Sequence, residues 1–409
     1  MGTVSSARAE GTAASYLART WLPWILGGGF IACFAVRDLL LTRGLTIDGL
    51  VVWGRDFANV WTGGHMVREH LVSKLYDVAA YQAYQRQLLG PIGQHSYSYP
   101  PVTFPIAAVL SYLPYWLALI VWQVAGMAFF IWAAKPWWPR CRWPVWLAVL
   151  TPGALLNLWA GHYGFFLGGL FLLGWRQVEL GRSALAGICF GLMLIKPQIA
   201  ILVPLALVLR RDWLAIASGA ATVLALVAAT TFVYGLQPWR DLLFSTGPFL
   251  ATLINARGSF FGLMSTSAAT AAFSVGAPLS LALAIQAAFA ICGIYAVAAA
   301  ALRKAPVRDY ALLTSTATFL VLPYAFNYDM TVPMIGAVSV MAAAKPSSMD
   351  WRLAFYGFIA PQLGMVLAAA GVPLMPIMIA GLLYVQFRKI RDLAVQSPAS
   401  MNDLATPQF

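Results

Sequence analysis

The chain has 409 residues, of which 61% are hydrophobic and 10% are charged, and its formal net charge is +12. Soluble domains carry about 25% charged residues, so this composition excludes a soluble globular protein. Apolar runs of about 20 residues recur along the chain, and they predict an all-α polytopic membrane protein. Because the runs are continuous rather than alternating, they exclude a β-barrel. The positive charge is typical of cytoplasmic loops, so we expect contact with membrane lipids and no nucleic-acid partner.

The sequence contains no signal for a cofactor or a metal ion. The four cysteines are scattered, without the spacing of a metal site or of a disulfide framework. No phosphate-binding glycine loop, dinucleotide fingerprint or zinc-hydrolase motif occurs, and no Asp-x-Asp pair is present. We therefore expect no cofactor and no metal, and ATP-driven transport is unsupported.

We predict one transmembrane domain over residues 21–388, between a cytoplasmic N-terminal tail, 1–20, and a cytoplasmic C-terminal tail, 389–409. Arg8 and Arg19 precede the first apolar run and favour an inside N-terminus. We expect about 12 spans, within a range of roughly 11 to 14. The predicted spans cover 21–41, 101–113, 115–134, 143–159, 163–178, 184–209, 213–234, 278–302, 310–326, 331–344, 353–370 and 373–387.

Two long segments, 42–99 and 235–277, are predicted to be structured extracytoplasmic loops on the same face. In the first loop, apolar residues recur at helical spacing over 57–71 and 78–89. This pattern predicts two amphipathic helices that lie on the membrane surface. Two structured loops on one face favour an enzyme that works at the outer leaflet.

Three points of topology stay open in the sequence. Lys196 and Pro197 interrupt 184–209, which is either one kinked span or two half-helices. The stretch 259–275 is apolar but rich in Ser, Thr and Ala, which is compatible with a re-entrant segment. The basic residues of 135–142 fall outside in this count, although Lys and Arg favour the inside. Either that loop contacts anionic lipid or the count is wrong by one span.

Asp56 is the candidate general base. The chain has only 14 acidic residues, and this one lies just beyond the first span. An aspartate ahead of an apolar helix is a preferred N-cap, and a carboxylate is also a common acceptor for the proton of a hydroxyl nucleophile. The two roles are compatible.

Five cationic or polar residues are candidates for binding a donor phosphate or sugar. Lys196 lies among apolar residues, where a charge is costly and indicates a functional site, with snorkelling to an interface as the alternative. Tyr99 and His95 precede the second predicted span, either in an aromatic belt or in sugar recognition. Arg257 in the second outer loop and Arg55 beside the base are the other two.

Five further candidates lie between predicted spans. His162 and Asn157 belong to a polar notch that is either an ordinary helix connection or part of a site. Gln198 follows the interrupting proline. Asn327 and Asp329 lie between two later spans, where the carboxylate is either a second site group or a loop cap.

Several motifs occur together in one order along the chain. They are Arg55-Asp56-Phe57 after the first span, Leu75-Tyr76-Asp77, Tyr97-Ser98-Tyr99-Pro100-Pro101, the notch from Asn157 to Gly164, and Leu185-Ala186-Gly187 followed by Lys196-Pro197. In this order the chain resembles the integral membrane glycosyltransferases with the GT-C fold. Within them it is similar to glycosyltransferase family 87, the polyprenyl-phosphate-mannose-dependent α-mannosyltransferase group.

The resemblance implies an outer-face active site, a lipid monophosphate sugar donor and inverting transfer, with Asp56 as the base. It implies neither a nucleotide nor a metal. The expected reaction moves a hexose, mannose, from a polyprenyl-phosphate donor to a lipid-linked or envelope glycan acceptor. The expected location is the bacterial inner membrane, with the site facing the periplasm. One departure from the family pattern is Asn327-Tyr328-Asp329, where a histidine is expected.

Two other classes of function remain open. A transporter or flippase for a lipid-linked sugar would share the cationic residues but would not need Asp56 as a base. Transporters often show internal repeats, and the sequence shows none. A polymerase or ligase of surface polysaccharide would also use outer loops, with a pyrophosphate-linked donor.

Overall fold

The computed structural model is almost entirely helical, which confirms an all-α membrane protein. Five helices among the described residues are long and apolar enough to cross a membrane: Trp21–Leu41, Tyr115–Ala134, Trp213–Tyr234, Leu279–Leu302 and Met349–Ala369. The structure describes residues 3–49, 51–92, 96–141, 143–246 and 260–396, with side chains from Trp21 to Leu393 except at 245 and 246.

The first helix leads into a small sheet that the sequence did not predict. α1 spans Thr3–Leu41, and β1 (Thr42–Arg43), β2 (Thr46–Ile47) and β3 (Val51–Val52) follow as an antiparallel sheet with β2 in the centre. Strands of two residues are too short to give an alternating pattern, which is why periodicity could not reveal them.

The outer loop contains the two predicted helices, α2 (Phe57–Arg68) and α3 (Val78–Leu89). Ten of the twelve residues of α2 are buried, so the prediction that it lies on the membrane surface is wrong. Its two adjacent glycines allow this burial, because a Cβ on Gly64 would stand 2.0 Å from the Ala107 carbonyl oxygen. The loop is therefore a packed unit of the fold.

The predicted span over 101–113 does not exist. The segment forms a 3₁₀ turn and α4 (Phe104–Leu110), and its contacts keep both of its ends beside the outer loop. The last residue of this segment and the start of the next helix both contact the outer loop. The Trp61 indole donates to the Leu113 carbonyl at 3.0 Å, and Tyr115 at the start of α5 (Tyr115–Ala134) donates to the Trp53 carbonyl at 2.5 Å.

The next two helices form a hairpin whose connection contains a candidate residue. A 3₁₀ segment, Val145–Leu150, precedes α6 (Pro152–Ala160), and α7 (Gly164–Glu179) returns. Gly161, in the left-handed region with φ of 68°, ends α6. The connection carries His162.

Residues 184–209 form two short helices rather than one kinked span. α8 spans Ser183–Leu192 and α9 spans Leu202–Leu209, with 3₁₀ turns on both sides of Lys196. The Ser183 hydroxyl donates to the Asp212 carboxylate at 3.0 Å, so the start of α8 lies beside the residue that follows α9. Lys196 therefore lies at the tip of a hairpin that returns to the end where it began.

The second outer segment contains short helices only, within its described part. After α10 (Trp213–Tyr234) come α11 (Gln237–Asp241) and a π-helical turn over Leu242–Thr246, and then α12 (Phe260–Met264) and α13 (Ala268–Ser274). Thr266 donates its backbone N–H to the Ala325 carbonyl at 2.9 Å, which ties this segment to the chain beside Asp329. Five long helices complete the bundle: α14 (Leu279–Leu302), α15 (Val307–Val321), α16 (Thr331–Ala343), α17 (Met349–Ala369) and α18 (Met375–Gln396).

The end of the bundle far from the outer loop is rich in ion pairs. Arg308 pairs with Glu179 at 2.7 Å and Lys389 with Asp309 at 2.8 Å. Lys135 lines one cavity with Arg308 and Lys389. The 135–142 loop therefore lies at the end of the bundle opposite the first outer loop. Of the two alternatives left open for this loop, the structure supports a count that is wrong by one span, because the loss of the 101–113 span reverses the direction of α5.

Candidate functional site

A cavity of about 240 Å³ lies where the outer loop meets the helix ends. The sequence reasoning had singled out five of its lining residues, which come from four separate parts of the chain. They are Asp56, Tyr99, His162, Lys196 and Gln198. The remaining lining residues are Asn59, Ser96, Ser98, Pro100, Ile195, Pro197, Leu242, Phe261, Tyr324, Phe326 and Tyr328.

A tight turn delivers Asp56 to this cavity. Gly54 and Arg55 both have positive φ, at 77° and 37°, and the Asp56 N–H donates to the Ala160 carbonyl at 2.9 Å. A Cβ on Gly161 would stand 2.4 Å from the Gly54 carbonyl oxygen. Only glycine permits that approach, so the end of α6 fixes the position of the Asp56 backbone.

Asp56 occupies the N-cap position of α2, but its side chain makes no capping hydrogen bond. The predicted capping role of this carboxylate is therefore wrong. Asp77 shows the contrast, since its side chain accepts from the N–H groups of Ala79 and Ala80 at 3.0 and 3.1 Å. The Asp56 carboxylate also has no hydrogen bond to another described residue, which leaves it available to a ligand.

Burial raises the pKa of Asp56 to about 6, from 3.8 for the free side chain. Lys196 lowers the pKa in part, and the negative charge of Asp329 raises it. Near pH 7 the group is therefore mostly ionised, yet it binds a proton more strongly than an exposed aspartate. That combination suits a general base.

Lys196 does not stand alone in the apolar interior. Its Nζ lies 2.5 Å from one carboxylate oxygen of Asp329, and both residues are buried. The other carboxylate oxygen lies 3.6 Å from Nδ1 of His162, which has no hydrogen-bond partner among the described residues. Burial and the neighbouring Lys196 lower the pKa of His162, so the imidazole is neutral and can exchange a hydrogen bond with a ligand.

Aromatic rings form much of the remaining wall. The His162 ring lies 4.6 Å from the Tyr328 ring and 5.7 Å from the Tyr99 ring, between centroids. Lys196 Nζ lies 5.0 Å from the centroid of Tyr328, within cation–π range. Rings and polar groups together are the surface that carbohydrate recognition requires, because a pyranose presents both apolar faces and hydroxyl edges.

Asn59 is a site residue that the sequence reasoning missed. Its Oδ1 accepts from the Tyr81 hydroxyl at 2.9 Å and from Gln85 at 3.3 Å, so its orientation is fixed. Asn59 follows Asp56 by three residues on the same helix, and this spacing could have revealed it. Aromatic residues also alternate at Tyr324, Phe326 and Tyr328, and this pattern could have identified them as lining residues of the cavity.

The structure does not bring every candidate into the cavity. Arg55 instead pairs with buried Asp38 at 2.5 Å and lies over the Trp159 ring at 3.7 Å. Asn157 accepts the Gly164 N–H at 2.9 Å and joins α6 to α7. Two further candidates, Asn327 and Asp329, lie buried behind the cavity wall, where Asn327 donates to the Pro361 carbonyl at 2.6 Å. His95 and Arg257 lie outside the described residues.

The described residues contain no cluster of three or more His, Cys, Asp or Glu side chains that could hold a metal ion. Within the described residues, the charged groups that line or adjoin the cavity are Asp56 and the Lys196–Asp329 pair. The Asp56 carboxylate is free, and the Asp329 carboxylate is paired with Lys196. The arrangement can therefore accept a proton at one point and stabilise a negative charge at another.

Comparison with known proteins gives one match. The family model of glycosyltransferase family 87 matches residues 97–323, which is more than half of the chain. The matched range includes Tyr99, His162, Lys196 and Gln198 and begins after Asp56. Neither the curated proteins nor the solved structures yield a match. The family match confirms the resemblance seen in the motifs: the chain belongs to glycosyltransferase family 87 and is a membrane glycosyltransferase.

Proposed function

We propose that the protein transfers a hexose, mannose, from a polyprenyl-phosphate donor to a lipid-linked or envelope glycan acceptor, with inversion at the anomeric carbon. The observation that carries this proposal is the free carboxylate of Asp56 in the same cavity as Lys196. A sugar transferase of this kind needs one group to accept a proton and another to stabilise the departing phosphate.

The proposed reaction is a single displacement. The acceptor hydroxyl gives its proton to Asp56, and its oxygen forms a bond to the anomeric carbon from the face opposite the phosphate. The bond between that carbon and the phosphate oxygen breaks, and the polyprenyl phosphate leaves with the electron pair. Lys196, held by Asp329 at 2.5 Å, stabilises the negative charge that develops on the phosphate.

A neighbouring groove supports a lipid-linked donor. This groove, of about 750 Å³, runs between α4, α5, α7 and α8 and has almost wholly apolar walls. Ile195 lines both the groove and the cavity, and Tyr163 in the groove wall follows His162 directly. We propose that the polyprenyl chain occupies this groove while its phosphate reaches Lys196.

The membrane arrangement that we propose has a GT-C-like bundle in one transmembrane domain, 21–388. The Asp56 cavity faces the periplasm of a bacterial inner membrane, and both tails, 1–20 and 389–409, lie in the cytoplasm. About twelve passages fit this arrangement, with α8 and α9 counted as two and 101–113 as none. The basic residues at the far end of the bundle support a cytoplasmic position for that end.

The test is sugar transfer from radiolabelled polyprenyl-phosphate-mannose, in membranes that contain the wild type or Asp56→Asn. We expect the substitution to reduce turnover at least 100-fold, the lower range of general-base catalysis. Asp77→Asn is the matched control, since it makes the same chemical change at an exposed residue of the same loop and asparagine also caps helices.

Wild-type transfer by purified Asp56→Asn would overturn the role of Asp56. Movement of the labelled lipid across the membrane, with no transfer by the wild type, would instead support a flippase. Transfer from a pyrophosphate-linked donor alone would support a polysaccharide polymerase or ligase.

A further inference from the structure

A second cavity, of about 610 Å³, lies at the end of the bundle opposite the Asp56 cavity. Three helices show the separation, since α5, α7 and α15 each begin or end near one cavity and reach the other. α5, for example, starts at Tyr115 beside Trp53 and ends at Ala134, about 30 Å away at 1.5 Å per residue. A ligand in the second cavity is therefore remote from the sugar.

Five cations from four separate parts of the chain line this cavity: Lys135, Arg140, Arg176, Arg308 and Lys389. One acid, Asp309, is in the wall, and it pairs with Lys389 at 2.8 Å. Glu179 lies beside the cavity and pairs with Arg308 and Arg176. Lys135 and Arg140 have no acidic partner among the described residues, so positive charge is left in excess.

These like charges repel one another, and an anion in the space they surround would offset that repulsion. Trp137 forms part of the cavity wall. Trp137 is 95% buried, and its indole N–H has no hydrogen-bond partner among the described residues. Pro136 and Pro139 restrict the backbone of the segment that carries Lys135 and Arg140.

We infer that this cavity is a binding site for a phosphate-bearing anion at the membrane surface, namely the headgroup of an anionic phospholipid. Basic pockets between helices at the cytoplasmic level of a membrane suit such headgroups. The cations hold the phosphate, and the acyl chains lie along the lipid-facing helices. Inorganic phosphate carries the same anionic oxygens, so the experiment distinguishes a phospholipid headgroup from a soluble phosphate.

The experiment measures binding to the purified full-length protein by native mass spectrometry and by the shift in unfolding temperature. The probes are phosphatidylglycerol, zwitterionic phosphatidylcholine and inorganic phosphate. Lys135→Gln/Arg140→Gln removes the two unpaired cations. Arg211→Gln/Lys345→Gln removes two exposed cations outside the cavity and is the matched control.

We expect phosphatidylglycerol to bind the wild type more tightly than phosphatidylcholine does. Lys135→Gln/Arg140→Gln should weaken that binding roughly 30-fold, at about 1 kcal/mol for each cation, and the control pair should not. Variant-sensitive binding of inorganic phosphate alone would keep the anion site and assign it to a soluble phosphate. Equal binding of both lipids, or equal losses in the two double variants with every probe, would overturn the proposal.

Discussion

Asp56 illustrates what a single residue reveals through sequence and what it does not. Its position after the first span and the scarcity of acids identified it as a candidate base. Its free side chain and its raised pKa depend on the turn at Gly54 and on the end of α6, which lie about 100 residues apart in the chain. Contacts between such distant parts leave no local pattern, so sequence reasoning assigned a capping bond that the structure does not have.

The raised pKa of Asp56 predicts the pH dependence of transfer. A base acts only when it is deprotonated, so kcat/KM should fall about tenfold for each pH unit below the pKa of about 6. The measurement is kcat/KM between pH 4.5 and 8 for the wild type and for Asp77→Asn. A rate that stays level down to pH 4.5 would contradict the assignment.

Stability gives an independent check on Asp56→Asn. The folded pKa is raised, so ionisation destabilises the fold as pH rises from about 4 to about 6, and the penalty persists above that window. The asparagine variant should therefore unfold at an equal or higher temperature than the wild type at pH 7. If Asp56→Asn unfolded at a lower temperature than the wild type, its loss of turnover would be explained by misfolding rather than by the loss of the base.

At the scale of elements, sequence reasoning worked best where periodicity was strong. It identified α2, α3 and most of the long helices, and it failed at 101–113, whose apolar composition resembles a span. Contacts such as those of Trp61 and Trp53, which its composition does not reveal, show that this segment stays at the outer loop. For 184–209 the sequence left two alternatives, and the hydrogen bond between Ser183 and Asp212 decides for a hairpin.

The hairpin of α8 and α9 predicts separable effects on stability and activity. Lys196→Met leaves buried Asp329 without its partner, which typically costs about 3–5 kcal/mol. The double variant Lys196→Met/Asp329→Leu removes both charges and should recover most of that loss, but not sugar transfer. Denaturation and transfer assays on both single variants and the double variant test this. Recovered transfer in the double variant would show that Lys196 serves only the fold.

For the whole molecule, two departures from the expected count of spans compensate. The expected span at 101–113 is absent, and the expected span at 184–209 is a hairpin of two helices. The total number of helix passages is therefore unchanged, but the loop at Lys135 lies at the opposite end of the bundle from the one that the count gave. Basic residues had already signalled this conflict. The direction of each helix across the membrane depends on the number of spans that precede it. One miscounted segment therefore reverses the predicted direction of every helix up to the next miscount.

The apolar groove predicts a dependence on donor chain length. Ala125→Trp fills part of the groove and should raise KM for a long polyprenyl donor at least tenfold, with a smaller effect on a short-chain donor. Ala225→Trp, at an exposed position of α10, is the control. The measurement is KM for donors of two lengths, and equal increases for both lengths would exclude the groove as the lipid site.

The groove has a further consequence because Ile195 lines both it and the Asp56 cavity. A donor that enters this way diffuses in two dimensions within the bilayer, and the spent lipid leaves by the same route. The concentration that governs the rate is then a mole fraction of lipid rather than an amount per volume. Diluting the membrane with inert lipid would slow the protein even when every substrate remains present in the sample.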